Sequence, residues 1–154
     1  MRLLFCGDIV GRSGRDAVKA HLPGLRSELG IDFVVANGEN AAGGFGITAK
    51  ICEELFAAGV DVISGGNHSW DQREALDYIG RQPRLLRPHN YPAGTPGRGA
   101  AVFDAGRGRK VLVLNVMGRL FMDPLEDPFA CVDAELAKND VRLTKLGLRS
   151  LRTV

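Results

Sequence analysis

The chain has 154 residues, 45% of them hydrophobic and 25% charged, enough for one globular domain with a real core and with nothing to suggest a second. Its net charge of +2, from 20 Lys and Arg against 18 Asp and Glu, is too small to argue for a nucleic-acid surface without a local basic stripe. The basic concentrations, Arg81 to Arg87, Arg107 to Lys110 and Arg142 to Arg152, read as solvated loops and a frayed end. No apolar run approaches the roughly 18 residues of a membrane span. Cys6, Cys52 and Cys131 are odd in number and lie far apart, so neither a disulfide framework nor a zinc knuckle is expected. With a strand beginning within two residues of the N-terminus and leaving no room for a signal peptide, the expectation is a cytoplasmic protein.

Leu3-Leu4-Phe5-Cys6 reads as a first buried strand, followed by a glycine-rich turn, Gly11-Arg12-Ser13-Gly14. A helical pattern then runs from Arg15 to Leu29, with Val18, Leu22, Leu25 and Leu29 on one stripe and Pro23 predicting a kink or a break. A second strand over 32–37 leads into the loop Ala41-Ala42-Gly43-Gly44-Phe45-Gly46. Thr48 is the expected N-cap of a helix through Ala58, which Gly59 terminates. A third strand, from Val60 to Ser64, precedes the turn Asn67-His68-Ser69-Trp70 and a helix from Asp71 to Gly80. Arg84 to Arg87 is a small strand. Ala100 to Phe103 and Lys110 to Asn115 form a hairpin expected to add antiparallel edge strands to the β-α-β-α-β sheet. A last helix, Pro128 to Lys138, is expected to turn Phe129, Val132 and Leu136 inward.

Gly7-Asp8, Gly38-Glu39-Asn40 and Gly65-Gly66-Asn67-His68 each follow one of the first three strands. Ligands of open α/β sheets bind at that edge. Singly, Asp8 and Asn40 are ordinary turn or cap residues and His68 an ordinary helix cap. Together, they favour one site fed by three strands. Two divalent cations need a bridging carboxylate, for which Glu39 is the natural choice; Asp8 and Asn67 would anchor one ion each, and Asn40 could join either. Oxygen-rich ligation points to iron, manganese or magnesium rather than structural zinc. His68 directly follows Asn67; in extended chain it would face the opposite way, toward substrate, as a general acid or a cation on a phosphoryl oxygen. Gly44-Phe45-Gly46-Ile47-Thr48-Ala49 also matches the loose dinucleotide fingerprint G-x-G-x-x-A, but Glu39 would repel a pyrophosphate there. A mononucleotide-binding α/β domain is therefore the weaker reading.

These segments, with Arg87-Pro88, Asn90-Tyr91, Gly94-Thr95-Pro96-Gly97 and Asn115 to Phe121, resemble the calcineurin-like metallophosphoesterases and, more narrowly, the bacterial YmdB-like family. The resemblance implies an α/β fold: a sandwich of mixed β-sheets flanked by helices. It implies a dinuclear metal centre, usually of iron or manganese, and phosphodiesterase activity on substrates such as 2′,3′-cyclic nucleotides. Asp8, Glu39, Asn40 and Asn67 would be metal ligands and His68 the catalytic acid. The likeness covers residues 1–138, the N-terminal part of a single metallophosphoesterase domain.

The family pattern continues into a strand bearing a Phe-His segment and later a Gly-Thr-His-Thr-His segment, whose histidines complete both metals. Residues 139–154 carry neither segment and no histidine. They read as an atypical tail, of the kind truncation or a shifted frame produces, on a fold incomplete at its C-terminus. The expected consequences are weak metal affinity, an exposed apolar sheet face and low or absent turnover. The alternative to an enzyme is thus a remnant that binds a metal or phosphate weakly or serves as an interaction module. A homo-oligomer covering the exposed face is compatible with either reading.

Overall fold

The computed structural model describes residues 1–139. Strands β1 (Leu3–Cys6), β2 (Phe33–Asn37), β3 (Val62–Ser64) and β4 (Leu85–Leu86) form a parallel sheet in the order β1-β2-β3-β4. Leu3 pairs with Phe33, Val35 with Val62, and Ile63 with Leu85. Helices α1 (Gly11–Glu28), α2 (Ala49–Ala57) and α3 (Arg73–Ile79) make the three crossovers. Because the strands follow one another in a single direction and parallel crossovers are right-handed, all three helices fall on one face. Leu4, Cys6, Val34, Ala36, Ile63 and Leu85 point to that face and pack with Leu22, Ile51, Cys52, Leu55 and Ile79.

Strands β5 (Ala100–Asp104) and β6 (Lys110–Leu114) pair antiparallel as a separate sheet. This corrects the expectation of edge strands. The hairpin lies across the other face of the parallel sheet, where Phe33, Val62 and Leu86 meet Ala101, Phe103, Val111 and Val113. The rings of Phe33 and Phe103 sit 6.0 Å apart. Two layers result because β2, β3 and β4 carry apolar residues on both faces, Val34, Ile63 and Leu85 on one and Phe33, Val62 and Leu86 on the other, and each face needs its own cover. The architecture is thus a parallel sheet facing an antiparallel one, with helices outside. Leu3 and Phe5, on the hairpin side of β1, remain 56% and 63% exposed.

Three further expectations are revised. Helix α1 begins at Gly11 rather than Arg15 and runs through Pro23 without a break. Of its expected stripe, Leu22 is buried, whereas Leu25 and Leu29 are exposed. In α4 (Pro128–Lys138), Phe129 is 80% exposed and the buried residue is Glu135. That carboxylate accepts from Asn139 Nδ2, at the end of the same helix, at 2.9 Å and lies 3.6 Å from His89 Nε2, so a polar contact to the 87–99 loop is part of what seats the helix. The tail over 140–154 lies outside the described residues.

Much of the loop from Arg87 to Gly99 is held by two polar side chains. The buried Arg87 guanidinium donates to the carbonyls of Pro88, Thr95 and Pro96. Fully buried Asn90 donates to the Met117 and Glu126 carbonyls and accepts from Met117 N. Their role is to satisfy backbone groups in a segment without regular structure.

Candidate metal centre

Asp8, Glu39, Asn40, Asn67 and His68 all stand at the C-terminal edge of the parallel sheet, just past β1, β2 and β3. Local hydrogen bonds fix this convergence. Ile9 N donates to Asn37 O at 3.0 Å, Gly11 N to Asn40 O at 3.0 Å, and Gly38 N to Ser64 O at 2.9 Å, so each strand end is tied to the next. Asn37 folds its side chain back to accept from Glu39 N at 3.1 Å, which turns the chain at the end of β2.

Two contacts bring the predicted residues together. Asn40 Nδ2 donates to both Asp8 carboxylate oxygens, at 3.0 and 2.9 Å. The backbone N–H of His68 donates to Glu39 Oε1 at 3.2 Å, so the Glu39 side chain spans from the end of β2 to the turn after β3. Gly66 makes that possible: a Cβ there would lie 1.9 Å from Glu39 Oε2. Asn67 is exposed at the start of the same turn.

Residues Asn67–Trp70 form a 3-10 turn rather than extended chain, so strand alternation does not orient His68. Side chains orient it instead. His68 Nδ1 is 2.6 Å from Asp71 Oδ2, and the Phe45 ring stands perpendicular to the imidazole with centroids 5.2 Å apart. A carboxylate on Nδ1 holds a proton there and directs Nε2 away from Asp71. The turn is closed by Ser69, whose hydroxyl donates to Gly66 O at 2.7 Å and accepts from Gly66 N at 3.1 Å. From the second sheet, Asn115 Nδ2 donates to Gly65 O at 3.1 Å and Leu86 O at 3.3 Å.

Asp71 and Asn115 are the supporting residues that reasoning from spacing left unassigned. Asp71 had a readable signal, since it follows His68 by three residues across a turn. Asn115 acts on a residue 50 positions away, and no local pattern reveals that.

The donor set suits a hard cation: two carboxylates and two amide carbonyls, with no thiolate. It is also thin. Among the described residues, no group of three or more His, Cys, Asp or Glu side chains gathers to hold a metal ion. The thiols do not compensate: Cys52 is buried among apolar side chains, which pushes its pKa up to about 12, and burial also raises that of Cys6.

No helix among the described residues is long and apolar enough to cross a membrane. The sequence is 46% identical over 138 residues to the 2′,3′-cyclic-nucleotide 2′-phosphodiesterase of Bacillus subtilis strain 168, an alignment covering 90% of this chain and 52% of that protein. Among solved structures, a hypothetical protein from Thermus thermophilus superposes with a TM-score of 0.83 at 45% identity, covering 90% of this chain and 53% of that one. A novel phosphatase from Mycoplasma pneumoniae does so with a TM-score of 0.81 at 32% identity, covering 88% and 50%. The chain therefore spans about half the length of the curated relatives it matches. Its fold agrees with theirs, and its sequence matches the YmdB-like protein family over residues 4–146: the chain belongs to the YmdB-like family.

Proposed function

We propose that the chain is a metal-dependent phosphodiesterase whose substrates are 2′,3′-cyclic nucleotides or similar small phosphodiesters. One observation supports this above the rest: Asp8 with Asn40, and Glu39 with the His68 turn, meet at a single sheet edge in a protein 46% identical to a cyclic-nucleotide phosphodiesterase.

Asp8, Glu39, Asn40 and Asn67 would hold two cations, iron or manganese by the family resemblance, with magnesium a further candidate. Such ions, when bound, supply Lewis-acid polarisation of the phosphoryl group and a nucleophile at neutral pH. The protein's own residues do the rest. His68 offers Nε2 to the leaving ribose oxygen and gives it a proton, while Asp71 keeps the imidazole in place from Nδ1. The Asn40 amide nitrogen against the Asp8 carboxylate aligns the first of these groups without adding negative charge.

The test is hydrolysis of 2′,3′-cyclic AMP by the reduced, anaerobically purified chain, with bound iron and manganese measured on the same sample. Bound divalent metal, and slow turnover that disappears in both His68→Ala and Asp8→Asn, is the expected result. A second reading draws on the thin donor set: a remnant that binds one metal or phosphate weakly and does not turn over. One ion or none, with no hydrolysis, would favour it and overturn the first.

A further inference from the structure

Phe45 is 59% exposed and packs into no core, yet its position is closely specified. Ala42 N donates to Gly46 O at 2.8 Å and Gly44 N to Asn40 O at 2.9 Å, closing the loop on itself. Gln72 Nε2 donates to the Phe45 carbonyl at 2.7 Å, tying the loop to the residue just before α3. Gly46 has a φ of +74°, and a Cβ there would lie 2.9 Å from the His68 carbonyl, so only glycine lets the loop rest on the His68 turn. The result is an aromatic ring fixed at the rim of the candidate metal centre, 5.2 Å from the imidazole and otherwise open to solvent.

A fixed aromatic with solvent-facing surface is a stacking platform for a nucleobase, and stacking is tolerant of base identity because every base has a π-face. The chemistry of a 2′,3′-cyclic nucleotide sets the geometry. Its phosphorus bridges O2′ and O3′, and its base leaves C1′ of the same ribose. Base and reacting phosphorus are therefore separated by one sugar ring. The proton donor and the platform are likewise neighbouring rings here.

We propose that Phe45 is the specificity-determining residue of this site, stacking the base of a nucleoside cyclic phosphodiester whose phosphate lies toward Asp8, Glu39 and Asn67. The assignment rests on the phosphodiesterase reading and adds the feature that separates nucleotides from phosphodiesters without a base.

The experiment measures dissociation constants of 2′,3′-cyclic AMP and of glycerol 1,2-cyclic phosphate by NMR titration of the 154-residue chain in magnesium buffer. The second ligand keeps the five-membered cyclic phosphodiester and lacks the base. The unchanged chain is compared with Phe45→Ala, Phe45→Leu and Phe45→Tyr. The expected result is a preference for the nucleotide that falls by about tenfold in the Ala and Leu variants and returns in Tyr. An unaltered preference in Phe45→Ala overturns the assignment and leaves the phosphodiesterase reading standing. So does weakening of both ligands alike, which would make Phe45 a support for His68. If neither ligand binds the unchanged chain, both readings fall.

Discussion

The two faces of the parallel sheet are covered by different means. On the helix face, Val34, Ala36 and Ile63 are fully buried beneath three helices that the chain makes as it passes from strand to strand. On the opposite face a two-stranded hairpin, arriving late in the sequence, seals Phe33, Val62 and Leu86 but stops short of β1. An apolar groove lined by Leu3, Phe5, Val35, Val111 and Val113 runs along that boundary. The comparison separates what builds the candidate centre from what supports it. Strand pairing and the hydrogen bonds between successive strand ends build the centre, whereas the hairpin side reaches it through the Asn115 amide.

The largest contrast should come from removing one leucine on each side. Leu55→Ala, at a fully buried position on α2, is expected to cost about 2–5 kcal/mol in urea unfolding. Leu3→Ala, more than half exposed, should stay within about 0.5 kcal/mol. Equal costs would mean that the hairpin side of β1 is covered as well as the helix face.

Within the site, Gly66→Ala should retain the fold and lower divalent-metal affinity by roughly 10–100-fold, because the new methyl occupies the place of the Glu39 carboxylate. Isothermal titration with manganese, beside a circular-dichroism melt, tells loss of the site from loss of the fold. On the hairpin side, Asn115→Ala is expected to cost about 1 kcal/mol, since it removes a donor shared by two carbonyls.

The smallest effect concerns acid. Asp32, just before β2, accepts from Arg109 Nη2 at 2.6 Å and from Arg2 N at 2.7 Å. These partners, Arg109 foremost, pull its pKa from 3.8 down to about 2. A carboxylate depressed by folding stabilises above its unfolded pKa and loses that contribution as pH falls through the folded value. Asp32→Asn should therefore melt lower than the unchanged chain at pH 6, with the difference fading between about pH 4 and pH 2. A difference that persists unchanged at pH 2 would place its origin elsewhere than the charge.

What was legible in the sequence follows the same division. Strand ends, the Thr48 cap and the glycines before Glu39 and Asn67 are local signals, and local backbone chemistry decides them; Thr48 does accept from Ile51 N at 3.2 Å. Convergence on one edge was legible because parallel strands with short crossovers leave few other arrangements. The hairpin's placement was not, since alternating apolar residues describe a strand but not which face it covers. Phe129 lies outside the core for a related reason: amphipathic spacing does not show that Glu135 finds Asn139 and His89 as partners. Extended-chain alternation alone would turn His68 away from Asn67, whereas a 3-10 turn and the Asp71 carboxylate set its direction.

The most direct test of the oxygen-lined centre is a manganese-binding isotherm for the chain and for Glu39→Gln, which keeps the side chain's size and removes its charge. The predicted result is saturable binding that drops by at least about tenfold in the variant while its unfolding midpoint is unchanged. Identical isotherms would contradict a metal held at this sheet edge and, with it, the chemistry proposed for the chain.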